Sequence, residues 1–409
     1  MSLAETTRRL DKDVLSVALI DTRNHLLQRL DRFDGAPQAL WIAGQAGWFQ
    51  EWWITRNVQR HLGRHAQGDT VRLPSAWPRA DALWRVGASA SASATAFSPA
   101  LSDVKDYLLA TLETTLELLE KAGDDDMALY FFRLALFHED QRNEDLLVLG
   151  QQLAVNFLKP SIGIHLPAPG PVREALWMAS THWPMGLDAD SGFALDNQSP
   201  VHEVVLPEYE IDAQAVTWQQ YVEFVLDGAY DREELWHPKG WAWLNGQPGT
   251  GPAQEARRAP RFVDQIGGAT GAVSQTHFGQ PMRMLGTQAA LHVSWWEAEA
   301  WVRWAGRRLP SEAEWEAAAH LGVRRGLRWG DVWEWCANSL QPYSNNNGNG
   351  TAQFAAGPWA DCSAPFFGTH RVLRGASFAT TPRLVSPKFR HFDLPGSDGG
   401  FYGFRSCAI

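Results

Sequence analysis

The stretch Phe137-His138-Glu139-Asp140-Gln141-Arg142-Asn143-Glu144-Asp145 gathers an imidazole, four carboxylates, two amides and a guanidinium within nine residues. On a helix, residues four apart share a face, so a metal-binding helix would place a second imidazole four positions after His138. Arg142 stands there instead. A second i, i+4 pair, His61 and His65, lies within Arg60-His61-Leu62-Gly63-Arg64-His65 among like charges. That pair reads as a solvated helix end and not as a chelate.

Positioning such a stretch requires a helix with an apolar face, and the first 158 residues supply four amphipathic segments. Apolar residues recur at helical spacing over Leu15 to Phe33, Ala39 to Leu62, Leu101 to Lys121 and Met127 to Phe157. Four such helices predict a bundle, a common framework for a site built from facing side chains. Between the second and third, Gly87-Ala88-Ser89-Ala90-Ser91-Ala92-Ser93-Ala94-Thr95-Ala96 is low in complexity and predicts a flexible loop. Prolines from Pro160 to Pro171 then stop helix formation repeatedly. These signals predict a helical domain over 1–158, a linker over 159–175 and a second domain over 176–409. In the second domain Val201 to Ile211 alternates like a strand, while Thr217 to Leu226 and Trp295 to Ala305 have helical spacing among long glycine-rich loops.

Composition narrows the class of partner. Thirty-six basic and 46 acidic residues are interspersed and give a net charge of −10, which makes nucleic acid and anionic membrane poor partners. No apolar h-region follows the charged start and no run approaches a membrane span, so a cytoplasmic protein is expected. Cys336, Cys362 and Cys407 are widely spaced and form neither a disulfide framework nor a zinc knuckle. Cys336 and Cys407 read as small core residues and Cys362 as a pocket thiol. The 21 tryptophans suit a loop-rich core and can also line a pocket for a cationic ligand.

Three stretches of the second half are specific. Val293-Ser294-Trp295-Trp296-Glu297-Ala298 leads into Trp304-Ala305-Gly306-Arg307-Arg308-Leu309-Pro310-Ser311-Glu312-Ala313-Glu314-Trp315-Glu316. Gly330-Asp331-Val332-Trp333-Glu334-Trp335 follows, then Val372-Leu373-Arg374-Gly375-Ala376-Ser377-Phe378 with Gly403-Phe404-Arg405. The series resembles the formylglycine-generating-enzyme, or sulfatase-modifying factor, domain over most of residues 176–409. Preceded by helices of the DinB-like type, it is similar to the ergothioneine-type sulfoxide synthases and their selenoneine counterparts. The resemblance implies an α+β chain, a DinB-like four-helix bundle followed by a loop-rich, C-type-lectin-like domain. It also implies an O2-dependent, iron(II) enzyme that joins a thiol or selenol donor to the imidazole of histidine betaine.

Carried over by position, His138 matches the first ligand of the family's His-x-x-x-His-x-Glu motif and Glu144 its closing acid, while Gln141 matches a glutamine that contacts the betaine. Arg142 replaces the second histidine ligand, and Gln45 falls where the family has a third histidine on the second helix. Trp359 and Cys362 take the positions of the tyrosines of the active-site loop, and Arg85 lies near a loop that binds the thiol's carboxylates. Trp359, Phe366 and Phe401 are the candidates for receiving a trimethylammonium group. An arginine at position 142 requires a carboxylate partner, for which Glu144 or Glu51 is expected. Copper chemistry of the formylglycine-generating kind needs a cysteine pair after the Arg-Gly element, and Ala379-Thr380-Thr381-Pro382 supplies none. The alternative to an altered enzyme is a non-catalytic homologue that keeps the pocket for a small zwitterion.

Overall fold

The computed structural model describes residues 3–68, 70–85, 99–158, 164–188, 192–246, 257–267, 271–343 and 360–409. The Ala/Ser run at 87–96 lies outside them. Four long helices form the first part: α1 (Lys12–Leu30), α2 (Pro37–Gln50), α3 (Leu101–Glu120) and α4 (Asp126–Gln152). Asp11 caps α1 by accepting from Val14 N, and Asp125 caps α4 by accepting from Met127 N and Ala128 N. Pro37 occupies the first turn of α2, where its missing N–H costs nothing. Gly44 lets α2 approach Trp84 so closely that a Cβ would meet the indole at 2.2 Å.

Two helix ends differ from the periodicity reading. The expected second helix to Leu62 instead passes into a π segment, Glu51–Thr55, and breaks before a 3-10 segment, Arg60–His65. Glu51 is drawn to Ser75 Oγ (2.6 Å), Ala76 N (2.7 Å) and Tyr107 Oη (2.8 Å), which rotates this turn off the helical ladder. His61 and His65 are exposed. The last helix stops at Gln152, short of Phe157, where Ala154 takes a left-handed backbone (φ 57°). Phe157 then packs between Phe33 and Phe278, with ring centroids 5.8 Å from each.

Among the described residues the second part contains eleven short strands in four sheets and, besides the short helix Pro238–Leu244, the helices α5 (Trp218–Leu226), α6 (Trp295–Trp304) and α7 (Glu312–Leu321). Thr217, Ser294 and Ser311 close capping boxes with Gln220, Glu297 and Glu314. The strand expected over Val201 to Ile211 is split at Pro207 into β3 (His202–Leu206) and β4 (Tyr209–Ile211), which pair with β2 (Thr181–Met185) and β1 (Leu176–Met178). A three-stranded meander, β5 (Val263–Ile266), β6 (Val273–His277) and β7 (Gln280–Met284), stands apart. The largest sheet has the order β10-β9-β8-β11, from β8 (Trp333–Ser339), β9 (Arg371–Gly375), β10 (Arg390–Asp393) and β11 (Tyr402–Phe404), with β11 parallel to β8.

Most of the charged residues that carry the sequence resemblance are structural. Glu334 accepts from Trp315 Nε1 (2.8 Å) and is held in two places by Arg405, both partners being buried. Arg374 pairs with Glu316, Arg390 with Glu312, and Arg308 with Glu314. In a domain with little regular structure, these ion pairs and capping boxes satisfy buried polar groups that a larger sheet would otherwise pair.

The two parts share one apolar core, in which Tyr130 and Phe137 of α4 pack on Phe193. No described helix is long and apolar enough to cross a membrane.

Candidate functional site

Helix α4 carries the stretch singled out by sequence, and each of its acids is committed. Glu139 receives Arg23 Nε (2.6 Å) and Nη2 (2.8 Å) between α4 and α1, with Gln50 Oε1 on the same guanidinium (2.6 Å). Asp140 receives Thr22 Oγ1 (2.8 Å) and Arg383 (2.9 and 3.0 Å). Glu144 receives Trp333 Nε1 (2.8 Å), Ser377 Oγ (2.6 Å) and Thr380 Oγ1 (2.8 Å), all from the second part of the chain. Asp145 pairs with Arg142 Nη2 at 2.9 Å. The partner expected for Arg142 was Glu144 or Glu51. The structure corrects this, because both carboxylates are occupied elsewhere and Asp145 lies one helical turn away on the same face. Arg142 is also half-buried and not fully enclosed.

His138 is 2% exposed and stacks on Phe49, ring centroids 3.8 Å apart and planes 12° from parallel. Gln45, 4% exposed, lies one turn before Phe49 on α2. Burial, then the nearby positive charge of Arg142, lowers the His138 pKa well below the usual imidazole value. The three ligand positions therefore offer one imidazole, one amide and one fixed cation. No group of three or more His, Cys, Asp or Glu side chains able to hold an ion occurs among the described residues. This donor set does not fit an iron centre of the three-histidine kind.

His138 also makes stability depend on pH. The imidazole is neutral in the fold and titrates near 6.5 when unfolded, so the unfolded chain binds more protons as pH falls through that value. Buried His277, whose pKa is pushed down to about 4 by desolvation, and His292 act in the same direction. Stability should be full above about pH 6.5 and decline below it. Denaturant midpoints between pH 7 and pH 5 should show this decline, and His138→Gln should flatten it by up to one proton. An unchanged slope in that variant would show that His138 titrates normally.

One turn beyond His138, between α4 and the second part, lies a cavity of about 420 Å³. Gln141, Arg142 and Asp145 form its helical wall. Trp333, Phe389, His391, Phe392, Phe401 and Tyr402 form an aromatic wall, and Asp393, Asp398 and Arg261 are its charged groups. Asp393 is fixed by Tyr402 Oη, Ser397 Oγ (both 2.8 Å) and Leu394 N (2.7 Å). Burial above all, then Asp393, raises the Tyr402 pKa well above its ordinary value, so the phenol remains a donor. Asp398 holds Arg257 and Arg261. Gln141 turns its amide back on Phe137 O at 3.2 Å, leaving a short movement to reach the cavity.

Of the residues named from sequence, the cavity brings together Gln141, Arg142, Glu144 and Phe401. It does not include Phe366, which packs on Phe392 and His370, nor Cys362, which is half-buried against the core. The pocket-thiol reading of Cys362 and the ligand-binding reading of Phe366 are thus not supported by their positions. Arg85 is exposed and lies over the Trp52 ring at 5.5 Å, away from the cavity. Trp359 lies outside the described residues. Sequence reasoning missed Trp333 as a wall residue, although its motif was noted, and missed His391 and Asp393, whose alternation along β10 was the available signal.

With this geometry in place, residues 168–329 and 328–408 match the sulfatase-modifying factor enzyme 1-like domain. The chain belongs to that family. A hercynine oxygenase of Mycolicibacterium smegmatis is 31% identical over 357 residues, spanning 74% of this chain and 77% of that protein. A hercynine oxygenase of Mycolicibacterium thermoresistibile is 27% identical and spans 96% of this chain and 94% of that protein, so the similarity includes the helical part. A formylglycine-generating enzyme of Streptomyces coelicolor is 28% identical and spans 59% of this chain and 90% of that protein. As a member of the sulfatase-modifying factor enzyme 1-like family, the chain thus combines the mixed domain with helices that the hercynine oxygenases also cover.

Proposed function

We propose that this chain is a hercynine-oxygenase relative that binds histidine betaine, which is hercynine, in the cavity between α4 and the largest sheet, without iron-dependent turnover. The observation that carries the reading is the charge pattern of that cavity. A betaine holds a carboxylate and a trimethylammonium group on one carbon, and the cavity is lined by Arg142, by aromatic rings and by Asp393, with Asp398 paired to Arg257 and Arg261. The Arg142 guanidinium keeps donors beyond the one used by Asp145 and can take the carboxylate as a charge-assisted pair. Trp333 and Phe389 offer faces to the quaternary ammonium, whose cation–π attraction is worth about 0.5–2 kcal/mol. Gln141, a cavity-lining residue whose amide now bonds Phe137 O, is the proposed partner of the imidazole.

The activity implied by the resemblance, O2-dependent joining of a thiol or selenol donor to that imidazole to give a sulfoxide or selenoxide, is the second reading. End-to-end similarity to hercynine oxygenases favours it, and the donor set at Gln45, His138 and Arg142 weighs against it. An aerobic assay with iron(II), histidine betaine and cysteine, γ-glutamylcysteine or a selenosugar separates the two. We expect no carbon–sulfur or carbon–selenium product. Multiple turnovers would establish the enzyme and show that ligands other than these three hold its metal.

A further inference from the structure

Strand β6 turns Gln275 and His277 to the same inner face, and the segment before α6 brings His292 alongside. Both imidazoles are fully buried, with ring centroids 6.1 Å apart and planes inclined by 37°. Neither ring nitrogen of His277 has a hydrogen-bond partner within the described protein, and neither does Gln275 Oε1, whereas His292 is hydrogen-bonded to the backbone at Gly400 and Asp398. The carbonyls of Gly400 and Asp398 flank His292, and Gln275 Nε2 donates to the carbonyls of Arg261 and Leu291 at 3.2 Å each. A buried polar group without a partner costs about 1–3 kcal/mol and is uncommon, so several at one point call for a reason. The backbone around them is also unusual. Phe262, Phe278 and His292 have φ of 64°, 47° and 64°, three of the five non-glycine residues in the left-handed region among those described.

We propose that His277 and His292 form a two-coordinate site for one copper(I) ion. Two imidazoles sharing an ion through nitrogens ~2 Å from it bring their ring centroids roughly 5–6 Å apart. The observed separation of 6.1 Å lies just beyond that range, which corresponds to a widely opened nitrogen–metal–nitrogen angle. Zinc(II) prefers four donors in a tetrahedron, and no third His, Cys, Asp or Glu completes a cluster here among the described residues. Aromatic rings flank the pair, with Phe262 edge-on to His292 at 4.7 Å and Phe401 at 5.7 Å, while the Arg261 guanidinium acts on His292 and the Asp264 carboxylate on His277. A single positive charge is much cheaper to bury there than two. Neutral imidazole is the ligating form, and the flanking carbonyls of Gly400 and Asp398 are the kind of acceptor that fixes one tautomer and aims the other nitrogen at an ion.

The test is anaerobic competition of full-length protein against a chromogenic copper(I) chelator, with His277→Gln, His292→Gln and, as a control outside the site, His138→Gln. The parent and His138→Gln should each retain one equivalent, and the two site variants should lose it with at least a tenfold fall in affinity while keeping the parent's circular dichroism. X-ray absorption of the parent's copper form should show two nitrogen neighbours, a result independent of whether the variants fold. A parent that yields all its copper, site variants that keep it, a sulfur-containing or four-donor shell, or preferential retention of zinc(II) would each overturn the assignment.

Discussion

Glu144→Ala is expected to destabilise the protein by about 3 kcal/mol, because it strips the shared acceptor from three donors that lie on the far side of the seam. Trp333 Nε1, Ser377 Oγ and Thr380 Oγ1 all converge on this carboxylate, and all three residues are buried. The two hydroxyls sit 3.3 Å from each other and can recover part of the loss, whereas the indole N–H cannot. Glu144→Gln keeps one acceptor oxygen and should cost less. Denaturant unfolding at pH 7 measures both. Near-parental stability of the alanine variant would mean that the seam is held elsewhere, through Arg383 and Gln151. The resemblance assigned Glu144 to the closing position of a ligand motif. Its hydrogen bonds make it a strut between the helices and the largest sheet.

The second large effect concerns metal. Protein purified anaerobically with iron(II) supplied should hold far less than one equivalent, since the ligand positions present one strong nitrogen donor. The double variant Gln45→His/Arg142→His removes the fixed cation and adds two imidazoles on facing helices, and iron retention should rise toward one equivalent. Arg142→His alone should raise it less. A folded double variant that takes up no more iron than the parent would refute the placement of Gln45 opposite His138, and stoichiometric iron in the parent would refute the whole reading of the donor set.

Helix existence and the two-part character of the chain were legible because apolar periodicity and the proline-rich break are local signals. Helix ends were not, and the reasons are tertiary. Glu51 leaves the ladder for Ser75, Ala76 and Tyr107, and Gln151 at the end of α4 bonds Phe278 N (2.7 Å) and Thr276 O (2.8 Å) across the seam. The His138 stretch stood out from residue types alone. The partner of Arg142 did not, because Glu144 and Asp145 are adjacent in sequence and only the position of Trp333, Ser377 and Thr380 decides between them. The cavity was least legible. Its aromatic and acidic wall comes from Trp333 of β8, from Phe389 and from the segment running from β10 to β11, far along the chain from α4, and no spacing rule links segments that far apart. Phe366 failed as a candidate for the same reason: a neighbour in sequence to Cys362, it faces Phe392 and His370.

A ligand site that works without iron is tested most directly by calorimetric titration of metal-free protein with histidine betaine. The predicted result is saturable binding to the parent, with an affinity lowered roughly tenfold, about 1.4 kcal/mol, in Arg142→Ala. Heat of binding that is absent from the metal-free parent, present only after iron(II) is added, or unaffected by Arg142→Ala would contradict it.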